Sequence, residues 1–260
     1  MSDKISVIIT TSNNRNQNLE NCLIALTLQY FQDFEVIVVD DGSSSDMKKV
    51  IEKFVDKLNI YYIWRDNDKC PGRSRNMGAD FSSYDSLVFL DSDILLNKTA
   101  LYHYNRLFTI YKDKKVSFWG KYGSFSENIP YNLSLSDIIP EIKVVKEDIR
   151  WTQMDDESRN FRPFKYCWSG NFGLSKNIFN QVNGFNEKFI GWGLEDCEFA
   201  FRLELERVEI IFVEEVWGEN QPHPMDEDFR NPDLFAANRI LLNELFKEKG
   251  DFYNKFKGYD

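Results

Sequence analysis

Residues 87–96 read LVFLDSDILL, and seven of these ten are apolar. A short continuous apolar run has the composition of a strand buried on both faces. Two aspartates, Asp91 and Asp93, interrupt it two positions apart. Alternation along an extended chain sends both to one side, about 7 Å apart at ~3.3 Å rise per residue. Carboxylates so placed repel unless a cation lies between or beside them. Oxygen ligands suit a hard divalent ion, Mg²⁺ or Mn²⁺, which usually completes its shell with phosphate oxygens. A solvated turn capped by two aspartates is the competing reading of so short a motif.

Outward from this stretch, strands and helices alternate. ISVIIT (residues 5–10) is a β-branched strand, followed by Leu19, Cys22, Leu23, Leu26 and Tyr30 at helical spacing. EVIVVDDGSSSD is a second buried strand closing in a turn, with Asp46 or a preceding serine placed to cap a helix through Met47, Val50, Ile51, Phe54 and Leu58. IYYIW is a third strand, CPGRSRNMGADF a glycine-bearing loop entering a helix, and SLVFLD a fourth strand. This rhythm predicts an α/β fold with a doubly wound, mostly parallel sheet. In such sheets ligands bind beyond the carboxyl ends of the strands. Three of those ends carry TTSNNR, DDG and DSD.

After Trp119 the rhythm breaks. Residues 122–165 show no sustained periodicity, which points to a lid or functional insertion. Its aromatics and their neighbours (Trp119, Tyr122, Phe125, Tyr131, Trp151, Phe161, Phe164) either contact an acceptor or pack a small subdomain. Order returns at YCWSGNFGLSK, GFNEKFIGWGLEDCEFAFRL and EIIFV, and a final helix follows through Leu234, Ala237, Leu241, Leu242 and Leu245. His103, mid-helix in LYHYNRL, reads as structural.

The bulk numbers narrow the function. The chain has 260 residues, 42% apolar, with a net charge of −10. A chain this size can bury a sizeable core without staples. The acidic balance argues against nucleic acid or an anionic membrane as main partner. Four cysteines without CxxC spacing read as reduced thiols, and the N-terminus lacks a signal-peptide pattern, so the expected location is cytoplasmic. No apolar window reaches membrane-helix length, so any membrane contact would be peripheral.

Four ordered motifs, SVIITTSNNR, EVIVVDDGSSSD, GRSRNMG and VFLDSDI, resemble the nucleotide-binding half of a GT-A glycosyltransferase of the inverting family two, over residues 5–96. WSGNFGLSK, GFNEKFIGWGLEDCEFAFRL and His223 resemble the acceptor half shared by β-1,4-galactosyltransferases, bacterial chondroitin-type polymerases and polypeptide N-acetylgalactosaminyltransferases. The resemblance implies one GT-A catalytic domain over residues 1–260. Its parts would be a nucleotide half (1–96), an acceptor half (97–225) and a C-terminal helix (226–260).

By the same resemblance, uridine lies against Thr10, Thr11 and Arg15, with Asp41 reaching the uracil or ribose. Arg75 and Asn76 would hold Asp41, uracil or diphosphate, Arg73 being the less secure candidate. Ser92 joins the donor site. Asp93 would bind the metal and Asp91 either the metal or the donor's hydroxyls, with His223 as a third ligand. Asp196 is implied as the general base and Glu195 as a ligand of the acceptor hydroxyl. Trp192 and Gly193 would face the acceptor sugar, and Trp168 and Asn171 the donor sugar. The retaining N-acetylgalactosaminyltransferases carry asparagine at the position of Asp196, so the aspartate favours inversion. The implied activity moves galactose, N-acetylgalactosamine or glucose from a UDP-sugar to a hydroxyl of a glycan, glycopeptide or glycolipid, with Mn²⁺ or Mg²⁺. Its alternative is a non-catalytic sugar-nucleotide-binding subunit. A nucleotidyltransferase would need a glycine-rich loop after the first strand, and TTSNNRNQN contains no glycine.

Overall fold

The computed structural model describes residues 4–12, 15–44, 46–124, 148, 150, 163–223 and 227–248. Four strands, β1 (Ile5–Thr11), β2 (Phe34–Asp41), β3 (Ile60–Arg65) and β4 (Ser86–Asp91), run parallel. Four more, β5 (Ile94–Leu96), β6 (Val116–Ser124), β7 (Asn171–Ser175) and β8 (Glu209–Asn220), extend the same sheet. The strand order is β3-β2-β1-β4-β7-β6-β8-β5. β7 is antiparallel to β4 and β6, β8 is parallel to β6, and β5 is antiparallel to β8. A continuous eight-stranded mixed sheet therefore joins the two halves of the chain.

Side-chain alternation divides the core between two faces. Ile5, Val7, Ile9, Val36 and Val38 pack with α1 (Asn16–Thr27), α2 (Met47–Glu52) and α4 (Ala100–Ile110). Ile8, Ile37, Val39, Leu87 and Phe89 face the other way. They meet α3 (Pro71–Phe81), α5 (Lys176–Gln181), α6 (Glu195–Leu205) and α7 (Pro232–Glu248). Aromatic stacking joins the halves: the Phe172 ring lies 4.7 Å from Phe89 and 4.6 Å from Trp119. Each buried Phe contributes roughly 1.5–3 kcal/mol, so this column is a principal anchor of β7. Gly78 lets α3 lie close on the sheet, since a Cβ there would come within 2.4 Å of Ile8 Cγ2. All four cysteines are free and buried.

LVFLDSDILL is not a single strand. β4 ends at Asp91, Ser92 and Asp93 form a turn, and β5 begins at Ile94 against the far strand β8. The turn carries Asp93 out of the extended alternation with Asp91. Ser92 N donates to Thr10 O at 3.3 Å and Gln221 N to Asp93 O at 2.7 Å, so neighbours impose the turn. The glycine-bearing loop is likewise helical from Pro71, at the position where proline suits a helix start. Trp119 and Phe164 are fully buried packing residues. Phe125, Tyr131, Trp151, Phe161 and most of the expected lid lie outside the described residues.

Candidate active site

The parallel registers align the carboxyl ends: Thr10 sits opposite Asp91, Thr11 opposite Asp40, and Asp41 opposite Arg65. Beyond them opens a cavity of about 1040 Å³, at the position where open α/β sheets bind ligands. Its lining includes Thr10, Thr11, Arg15, Asp41, Arg75, Asp91, Ser92 and Asp93 from the first half of the chain and Trp168, Trp192, Gly193, Glu195, Asp196 and His223 from the second. Seven carboxylate residues face it against four lysines and arginines. Among the described residues, Thr11 Oγ1, Glu195 Oε2 and Asn220 Oδ1 are buried without a hydrogen-bond partner. All three residues line this cavity, and such atoms ordinarily find partners.

At one end, Asp93 Oδ2 accepts from Arg15 Nη1 at 2.9 Å and lies 3.1 Å from His223 Nε2. Burial alone would raise the Asp93 pKa, but Arg15 and His223 outweigh it and hold the carboxyl below its ordinary range. A clamp of buried amides holds this corner. Asn21 Nδ2 donates to Gln221 Oε1 at 2.8 Å, Gln221 Nε2 to Asn18 O at 3.1 Å, and Asn18 Nδ2 to Pro222 O at 3.1 Å. These contacts fix the chain just before His223.

At the other end, Arg75 joins the two halves of the chain. Its Nη2 donates to Asp91 Oδ1 at 3.0 Å and its Nη1 to Glu195 Oε1 at 3.2 Å. Glu195 and Asp196 open α6, where the helix N-terminus favours negative charge. Burial, and then the neighbouring Asp196, push Glu195 up to about 7. Burial also raises Asp196. Asp196 Oδ1 accepts from Cys197 N at 2.8 Å, and Oδ2 accepts from Ser169 N only at 3.4 Å. Both carboxyls are therefore more basic than exposed ones.

The turn before α6 bends through Gly191 (φ +77), Gly193 (φ +102) and Leu194 (φ +75). A Cβ on Gly191 would meet Leu234 at 2.9 Å, so the turn needs glycine for space as well as for φ. Asn238 of α7 ties this turn down, donating to Ile190 O and Gly193 O at 3.0 Å and accepting from Ile190 N at 3.2 Å. Trp192 is left 46% exposed, beside Phe235 at 5.7 Å and beneath the Arg230 guanidinium at 4.7 Å.

This arrangement has a match in known proteins. The family model "Glycosyl transferase family 2" aligns with residues 6–182. The chain belongs to glycosyl transferase family 2. A second model, the N-terminal domain of galactosyltransferase, aligns with residues 155–222. The family 2 chain is 32% identical to validoxylamine A glucosyltransferase of Streptomyces hygroscopicus subsp. limoneus, over 93% of its own length and 58% of that protein. It is 28% identical to chondroitin synthase of Escherichia coli, over 97% of its length and 39% of that protein. It thus spans little more than half, or less, of these relatives. S. aureus TarS in complex with UDP-GlcNAc shares the fold at a TM-score of 0.70 and 19% identity, over 94% of this chain and 66% of that one. So does a Pyrobaculum calidifontis mannosyltransferase in complex with GDP-Man and Mn²⁺, at 0.67 and 15%, over 99% and 68%. The sheet is therefore of the GT-A kind.

Several expectations for the candidate site are redrawn by the structure. Arg75 pairs with Asp91 and Glu195, while Asp41 is held by Arg65, an ion pair the sequence did not signal. Burial raises Asp41 to about 6 against the pull of Arg65. Asn76 does not line the cavity; it donates to Phe185 O and Glu187 Oε1 and accepts from Phe185 N, bracing residues 185–187. Asn171 is also absent from the cavity wall, being fully buried at the start of β7 and bonded to Tyr104 Oη at 2.8 Å. Arg73 pairs with Asp68 and Glu187. The three expected metal ligands are not gathered: Asp91 turns to Arg75, and no group of three His, Cys, Asp or Glu side chains suited to a metal occurs among the described residues. Asp93 and His223 alone meet. Their oxygen and nitrogen donors still fit a cation that keeps phosphate or water in its remaining positions. Among the described residues, no helix is long and apolar enough to cross a membrane.

Proposed function

We propose that the chain is an inverting, metal-dependent glycosyltransferase. It moves a hexose or N-acetylhexosamine from a UDP-sugar to a hydroxyl of a glycan, glycopeptide or glycolipid. The observation that carries this reading is the ion pairing of Arg75 with both Asp91 and Glu195. It sets the strand-end carboxylates and the α6 carboxylates across one cavity, as a single displacement requires of a leaving-group site and a base.

Thr11 Oγ1, at the end of β1, is available to the nucleoside, and Asp41 can accept from a ribose hydroxyl or the uracil N–H. Asp93 and His223 would hold the cation together with diphosphate oxygens. Bound there, it supplies Lewis-acid compensation for the charge on the departing diphosphate. Asp196 takes the proton of the acceptor hydroxyl as that oxygen attacks the anomeric carbon from the side opposite the diphosphate. Its burial makes it a better base than an exposed aspartate. Glu195, with Oε2 unpartnered, orients the acceptor hydroxyl. Trp192 offers an exposed indole to the apolar face of a sugar. The glucosyltransferase and chondroitin synthase relatives, and the neighbour with UDP-GlcNAc, support this donor class.

The test is UDP release from a panel of UDP-sugars with Mn²⁺ or Mg²⁺, with water or saccharides as acceptors. Selective, metal-requiring release from one or two of them is expected. Equal release without metal, or none from any UDP-sugar, would contradict the proposal.

A further inference from the structure

The cations that line the cavity are unequal. Arg15 is bonded to Asp93 at 2.9 Å, and Arg75 to Asp91 and Glu195 at 3.0 and 3.2 Å. Lys69 lies 4.0 Å from Asp228. Arg230 pairs with no carboxylate among the described residues; its guanidinium rests on the Trp192 ring, 4.7 Å from the centroid. It is exposed and lines the same cavity wall. Arg15 and Asp93 line the same cavity, and burial and Arg15 lower the Arg230 pKa while Asp93 raises it. A guanidinium stays charged under such shifts.

An incoming diphosphate adds negative charge to a cavity already rich in carboxylates, so cations already committed to Asp91, Asp93 and Glu195 offset little of it. We propose that Arg230 binds the diphosphate of the sugar nucleotide, leaving its stack on Trp192 to donate charge-assisted hydrogen bonds to the phosphate oxygens. Guanidinium geometry suits phosphate, and a cation–π contact at an exposed site is a weak one to give up. The exchange also uncovers the Trp192 ring, so donor binding prepares the acceptor side. This inference rests on the UDP-sugar reading and deepens it.

Calorimetric titration of the full chain with UDP and with uridine, at saturating Mn²⁺, separates the possibilities. Arg230→Gln is expected to weaken UDP roughly tenfold or more while leaving uridine within about twofold, and Arg230→Lys should recover part of the loss. A thermal midpoint matching the wild type shows that the exposed substitution leaves the fold intact. Unchanged UDP affinity in Arg230→Gln, or an equal loss for uridine, overturns the inference while the wild type still binds UDP. Unchanged UDP affinity with weaker transfer to acid-bearing saccharides alone overturns it in favour of an acceptor anion. A wild type that does not bind UDP overturns the donor reading itself.

Discussion

Arg75 holds two carboxylates from distant parts of the chain, Asp91 at the end of β4 and Glu195 at the start of α6. It is 5% exposed, so deleting its charge leaves two carboxylates short of a partner in a desolvated place. Arg75→Met is expected to cost about 3 kcal/mol in urea unfolding and to abolish transfer. Arg75→Lys should regain stability only in part, because one ammonium cannot span two carboxylates as the guanidinium fork does. A Lys variant with wild-type stability and turnover would remove Arg75 from this role. The residue types at the site were legible: DSD, ED and His223 all line the cavity. Their pairings were not. The resemblance offers Arg75 to Asp41, uracil or diphosphate; Asp41 is taken by Arg65, and a sequence does not show which way a guanidinium points once two strand ends compete for it.

The elements follow hydrophobic period closely where the chain packs against the sheet. β4 spans SLVFLD as read, and the last helix covers the predicted leucines from Pro232 to Glu248. The reading failed where tertiary contacts override local pattern. The DSD turn was open to two readings, and what decides for it is contacts distant in sequence, Ser92 N to Thr10 O and Gln221 N to Asp93 O. The polar clamps were equally hidden. Asn18 and Asn21 of α1 bind Pro222 and Gln221 some 200 positions away, which no local pattern shows. Asn238 in α7 does the same for the Gly191–Gly193 turn. Asn238→Ala is expected to cost roughly 1–3 kcal/mol, because it strands the Ile190 N–H and two carbonyls in a buried place. It should also raise the acceptor KM several-fold with little change in UDP affinity, since Trp192 loses its support. An acceptor KM like the wild type's, at equal protein stability, would detach α7 from the site.

At the scale of the molecule, one mixed sheet spans both halves of the chain, with the parallel strands β1 to β4 on one side of β7. Stability depends in part on a half-buried acid outside the cavity. Glu204, whose side chain accepts from Phe164 N at 3.2 Å, is raised from 4.5 to about 7, chiefly by burial. A carboxyl with a raised folded pKa binds more protons folded than unfolded, so stability falls as pH climbs from about 4.5 to about 7 and then levels off. Glu204→Gln should remove that loss. Its melting temperature is expected to exceed the wild type's by about 2 °C at pH 8, from about 1 kcal/mol, with no gain at pH 4. A gain that does not depend on pH would place the origin elsewhere.

The most direct measurement of the central claim compares Asp196→Asn with wild type for UDP affinity and for UDP release from the preferred UDP-sugar. Asparagine keeps the shape and removes the base. UDP binding is expected to stay within about threefold of wild type, with release slowed by roughly 10² or more. Wild-type release by Asp196→Asn, with UDP bound normally, would contradict it.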